Sequence, residues 1–171
     1  KVRSLFRWLT VKNLNKMIFK EQLTEDSPYY FLKGIKYGLE SYHELFKRLC
    51  SYAGLSVKII RGISKSAGYK PGMPFKDSKF SNSWASVLID GDWHFVDCHW
   101  GARHVNNTED YSDPEKFCYS LDEFYFLTNP EDMIYMHYPD EPEWQLLEDP
   151  LSVETFVELP VVKSHFFWYG L

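Results

Sequence analysis

Three cysteines, Cys50, Cys98 and Cys118, and a cluster of His94, Asp97 and His99 are the residues that could support nucleophilic or metal chemistry. A Cys/His mechanism needs a thiol of lowered pKa, usually at a helix N-terminus, and an imidazole within hydrogen-bond reach. Cys50 falls on the apolar face of a predicted helix, near its C-terminal end, where the helix dipole disfavours a thiolate. It reads as a core cysteine. Cys98 ends a predicted strand and Cys118 sits in a predicted loop. Neither has a helix start beside it, so both read as structural. Alternation along a strand places Asp97 and His99 on one face and His94 and Cys98 on the other. A metal needs three or four converging ligands, and two per face fall short. His43 reads as a surface or half-buried helix residue, and Glu131-Asp132 and Asp140-Glu141 as solvated acids. No Gly-rich phosphate loop, HExxH or paired-cysteine spacing is present, so neither cofactor nor metal is expected.

The elements that must carry these residues follow from periodicity. Residues 1–16 are predicted helical, with Val2, Leu5, Phe6 and Leu9 on one face. Thr24 to Pro28 is a break with helix-start character. Leu39 to Ala53 is the clearest helix: Leu39, Tyr42, Phe46, Leu49 and Ala53 recur at three- and four-residue steps, and Gly54 stops it. Val57 to Arg61 is a strand, and 64–81 is a loop punctuated by Gly68, Pro71, Gly72 and Pro74. Asp90-Gly91-Asp92 between the apolar runs Trp84–Ile89 and Trp93–Cys98 signals a hairpin. Gly101 to Asp113 is a polar loop. Phe124–Leu127 is a short strand, Pro130–Tyr135 a short helix, and Leu151–Leu159 a last helix. The order predicts an α+β fold, an antiparallel sheet with helices packed to one side.

The chain has 171 residues, which suits a single domain with a core needing no disulfides. A net charge of −5 argues against a nucleic-acid or anionic-membrane surface. The aromatic share is 18% and the hydrophobic share 44%, which excludes a disordered chain. No apolar run reaches the roughly 18 residues a membrane span requires. Three unpaired-looking cysteines do not make a secreted disulfide framework, so the cytoplasm is the expected compartment. Asn106-Asn107-Thr108 is a chance match to a glycosylation sequon on this reading. The chain opens at Lys1 inside a helical pattern and is expected to be a fragment of a longer protein.

Several blocks, taken in order, resemble a transglutaminase-like domain of the papain-type Cys-His-Asp superfamily, and specifically the kyphoscoliosis peptidase/hillarin group of cytoskeletal proteins. Val2 to Leu9 is similar to the opening helix of that group. Leu39-Glu40-Ser41-Tyr42 onward resembles its nucleophile helix. Gly62, Lys65, Gly68, Tyr69, Pro71 and Gly72 fit its G-x-x-K-x-x-G-Y-x-P-G loop. Trp84 to Gly101 resembles the His-Ala-Trp strand and the Val-Asp-x-x-Trp-Gly strand. Phe124 to Leu147 looks like its tail. The resemblance implies one transglutaminase-like domain over 1–171, with a core of about 1–105 and a family-typical tail of about 106–171.

The departures carry the functional expectation. The family nucleophile aligns on Leu39 and the family base on Asn82, and only the acid, Asp97, stands in place. Leu39 has no nucleophilic atom and Asn82 takes no proton at neutral pH. Cys50 lies 11 residues beyond Leu39, roughly 16 Å along a helix. The resemblance therefore implies a catalytically inactive, pseudoenzyme domain, binding protein partners in a cytoskeletal setting, with a vacated cleft lined by Trp84, Trp93 and Trp100. Asp97 would be structural. The alternative is an active peptidase or acyltransferase using Cys50 or Cys98 with a displaced histidine.

Overall fold

Aromatic residues are buried on both faces of one sheet, Phe6, Phe46 and Phe126 on one side and Trp84 and Phe95 on the other. The computed structural model describes residues 1–75, 78–105 and 117–169. Strands β1 (Val57–Ser64), β2 (Ser81–Ile89), β3 (Asp92–Val96), β6 (Phe126–Thr128) and β7 (His137–Pro139) form a five-stranded sheet in the order β6-β3-β2-β1-β7. Every pairing is antiparallel. The hairpin β2–β3 closes over Asp90-Gly91, as its sequence predicts. A separate ribbon pairs β4 (Arg103–Val105) with β5 (Phe117–Tyr119), where the sequence pattern suggested polar loop. Asn106-Asn107-Thr108 lies outside the described residues.

Helices α1 (Val2–Thr10), α2 (Pro28–Lys36), α3 (Tyr42–Tyr52) and α4 (Cys98–Ala102) are followed by α5 (Pro130–Met133), α6 (Val153–Glu158) and α7 (Ser164–Trp168). The opening helix ends six residues before its predicted limit of 16, because Asn13 Oδ1 accepts the N–H groups of Asn15 and Lys16 and turns the chain. Phe6, Leu32, Leu45 and Phe46 pack on Ala85, Val87 and Val96 of the sheet. The opposite face is covered too. Ile60, Trp84 and Phe95 meet Met133 of α5, with Trp144 and Leu146 against them. Helices on one side alone were expected. The near-continuous apolar run of β2 puts Trp84 on one face and Ala85 and Val87 on the other, so both need cover.

Two close contacts bind the tail to this frame. A Cβ at Gly62 would run into the Tyr138 carbonyl, so the glycine lets β7 pair with the end of β1. Lys65, 2% exposed, donates to the Leu159 carbonyl at 2.5 Å and lies 4.6 Å from the centre of the Phe156 ring. Burial lowers its ammonium pKa to about 8. Among the described residues no helix is long and apolar enough to cross a membrane.

Candidate functional site

An open cleft of about 580 Å3 lies between the α2–α3 connection and the ends of β1 and β2. Its wall from the helical side is fixed by how α2 stops. Gly38 takes a left-handed φ of 73° and donates to the Ile35 carbonyl, and Leu39 N–H donates to the Gly34 carbonyl at 2.8 Å. This is the paired 6→1 and 5→2 bonding of a Schellman stop. It spends residues 38 and 39 on ending α2. The helix predicted from Leu39 therefore starts at Tyr42, with Ser41 as N-cap accepting the Glu44 N–H at 3.2 Å. Leu39 is 80% exposed and does not line the cleft, whereas Glu40, Ser41 and His43 do.

Asn82 lines the cleft from β2. Its side chain is occupied: Nδ2 donates to Ser64 Oγ at 2.9 Å, and Oδ1 accepts the Ser83 N–H at 2.8 Å. Asp97 is fully buried and lies outside the cleft lining. It is the N-cap of α4, and its Oδ1 accepts the N–H groups of His99 and Trp100, both at 2.9 Å. Its Oδ2 meets His137 Nε2 at 3.0 Å, with neither side chain exposed. β7 positions His137 by pairing it opposite Ser64. Trp84 and Trp100 pack on the imidazole, with ring centres 5.0 and 4.5 Å away. Burial alone would raise the Asp97 carboxyl. The His137 hydrogen bond and the fields of His43, His137 and His99 outweigh it, and the carboxyl is held below its ordinary range.

His43 is 3% exposed, not a surface residue, and burial lowers the pKa of its imidazole. His99, half-buried, stacks on Tyr42 at 5.7 Å, and burial with the Arg103 charge lowers its pKa to about 3. The strand alternation assumed around Cys98 ends at Asp97, because Cys98 opens α4 instead of closing β3. Cys98 thus does sit at a helix start. Its thiol is nonetheless raised, because it is fully buried and next to the Asp97 carboxylate. Burial raises Cys50 to about 12. Among the described residues no group of three His, Cys, Asp or Glu converges on a metal position.

The tryptophans expected to line the cleft are elsewhere. Trp84 is 1% exposed in the core, Trp93 packs edge-on against Trp144, and Trp100 covers His137. Their indoles fill space behind the sheet because β2 and β3 bury that face as well. Sequence reasoning also missed two residues. His137 lies 40 positions from Asp97 on a three-residue strand, too short to show a period. Arg103 was hidden in the apparent polar loop after Gly101 and enters the cleft from β4.

No family model matches the chain. Comparison with curated proteins places it firmly all the same. It is 53% identical to hillarin of Drosophila melanogaster over 176 aligned residues, covering 100% of the chain and 22% of hillarin. It is 37% identical to kyphoscoliosis peptidase of Mus musculus over 140 residues, 82% of the chain and 20% of that protein. The chain belongs to the hillarin and kyphoscoliosis peptidase family. A further member, Lim and transglutaminase domain protein ltd-1 of Caenorhabditis elegans, is 51% identical over 173 residues, 99% of the chain and 24% of its own length. The chain thus spans about a fifth to a quarter of the length of these hillarin-family relatives.

Proposed function

We propose that this member of the hillarin family is a transglutaminase-like domain that performs no acyl transfer and instead binds another protein, in a cytoskeletal setting. The transglutaminase-like fold is supported by the antiparallel sheet packed against α3 and by the word transglutaminase in the printed name of ltd-1. The cytoskeletal setting rests on the sequence resemblance to the hillarin group. The observation that carries the inactive reading is the state of the three positions where the family's triad aligns. Leu39 turns its apolar side chain to solvent, Asn82 is tied to Ser64 and Ser83, and Asp97 is bonded to His137 and to the start of α4. Nucleophile, base and orienting acid are thus an alkyl group, an amide and a buried cap. The burial and raised pKa of Cys50 and Cys98 weigh against either thiol as a replacement.

The test is labelling of the native chain with iodoacetamide at neutral pH. We expect Cys50 and Cys98 to react far more slowly than free cysteine, with no thiol titrating below its ordinary range. Rapid modification of either one, with a depressed thiol pKa, would overturn the reading. So would peptide hydrolysis or amide exchange that disappears when that cysteine is changed to alanine.

A further inference from the structure

Several donors at the cleft have no hydrogen-bond acceptor among the described residues. α3 runs eleven residues, and Ser41 satisfies only the Glu44 N–H of its first turn through its side chain. The N–H groups of Tyr42 and His43 have no acceptor among the described residues. They stand at the positive end of the helix dipole. His43 lines the cleft, is 3% exposed, and leaves Nδ1 without a partner. Arg103 enters the same cleft. One of its guanidinium nitrogens, Nη1, donates to Tyr119 Oη at 3.1 Å, and the group lies flat enough to sit 3.8 Å from the Phe117 ring centre and 5.2 Å from that of Tyr42. Its Nε is buried without an acceptor. No carboxylate among the described residues pairs with it. A positioned guanidinium that no described carboxylate pairs with, beside a helix start whose first N–H groups have no acceptor among the described residues, suits a planar, two-oxygen anion.

We propose that the cleft receives a side-chain carboxylate of a partner protein, held by Arg103 and by the free N–H groups at the start of α3. This rests on the reading of the chain as a binding module. A phosphate fits less well, because Glu40 and Asp140 line the same cleft and repel a doubly charged ligand more than a singly charged one. Close in the chain to the lining residues Ile35 and Glu40, Tyr37 and Leu39 are 63% and 80% exposed and offer apolar surface. The acid is therefore expected between apolar neighbours. Position 39, where the family places its nucleophile, becomes a contact for such a neighbour.

The experiment is an amide NMR titration of the 15N-labelled full chain with blocked tripeptides at fixed ionic strength. Acetyl-Leu-Glu-Leu-amide should give saturable shifts at the Tyr42 and His43 amides and at Arg103 Nε–H. Acetyl-Leu-Gln-Leu-amide should bind about tenfold more weakly, the loss of one charge-assisted pair. Arg103→Gln should weaken the glutamate peptide about tenfold and leave the glutamine peptide unchanged. Should that variant fail to fold, the two peptides on the unaltered chain decide the matter. Equal binding of both peptides overturns the carboxylate preference. Tighter binding of inorganic phosphate, or binding only by a tripeptide with a free C-terminus, overturns the assigned source. If no peptide binds while the thiols stay slow towards iodoacetamide, this inference falls and the inactive reading stands. If a thiol proves activated, the underlying reading falls whichever peptide binds.

Discussion

The cluster around Asp97 and the cleft beside it are electrostatic neighbours, since Asp97 and His137 both act on His43, yet they treat polar groups in opposite ways. In the cluster, a fully buried carboxylate has two backbone N–H groups and an imidazole, and its acceptor capacity is used inside the protein. In the cleft, Arg103 Nε, His43 Nδ1 and two helix-start N–H groups have no acceptor among the described residues. The carboxylate at the centre of the cluster is saturated and fixes the local shape, and His137 Nδ1 is the one polar atom of the Asp97–His137 pair with no partner among the described residues. Donors without acceptors at an opening are bonding capacity held for a ligand. The difference teaches that neighbouring polar groups can be spent differently: Asp97 orients α4 and His137, while the donors without acceptors line the adjoining cleft.

Substitutions can break or sharpen this contrast, beginning with the cluster. Asp97→Ala leaves His137 and two N–H groups facing a void. We expect a loss of about 3 kcal/mol in urea unfolding, since removing the buried carboxylate strands an imidazole and two N–H groups without acceptors. A cost below about 1 kcal/mol would dissolve the distinction between the two regions. Next in size is acid. His43 and His99 have lowered pKa values in the fold, so the unfolded chain takes up protons first as pH drops below about 6.5. Stability should therefore fall from pH 7 to pH 5, by up to about 1.4 kcal/mol per pH unit per histidine. The depressed Asp97 carboxyl adds its own loss only below about pH 4. His99→Phe should flatten the slope seen by urea unfolding at each pH, and a flat profile in the unaltered chain would show that the imidazoles protonate in place.

On the cleft side the effects shrink. Asn82→Ala removes the bond to Ser64 and should cost about 1 kcal/mol, read from the urea midpoint. Leu39→Ala should change stability by no more than about 0.5 kcal/mol, because an 80% exposed side chain loses almost nothing on truncation. A cost above about 2 kcal/mol at Leu39 would place it in the core and contradict its outward orientation.

Local signals were legible where one element suffices to explain them. The DG turn, the strand over 57–61, the apolar stripe of α3 and the antiparallel α+β plan all appear in the structure. α3 starts three residues after the position its apolar period predicts, because Leu39 continues that period while its backbone serves the Schellman stop of α2. Sequence alone does not separate cleft from core for the tryptophans, because indoles suit interfaces as well as cores. Only the packing of β2 on both faces decided in favour of the core. The ribbon β4–β5 and the strand β7 are three residues each and carry no period of their own.

What the sequence determined by itself is chemical identity: leucine at 39, asparagine at 82, aspartate at 97, and an order of elements that builds an antiparallel sheet. The tertiary structure alone decided which groups meet. His137 reaches Asp97 across 40 residues because Gly62 admits β7 to the end of β1, and Arg103 faces the start of α3 because β4 folds back on β5. Such pairings follow from long-range backbone hydrogen bonds, and the spacing of residues along the chain does not encode them.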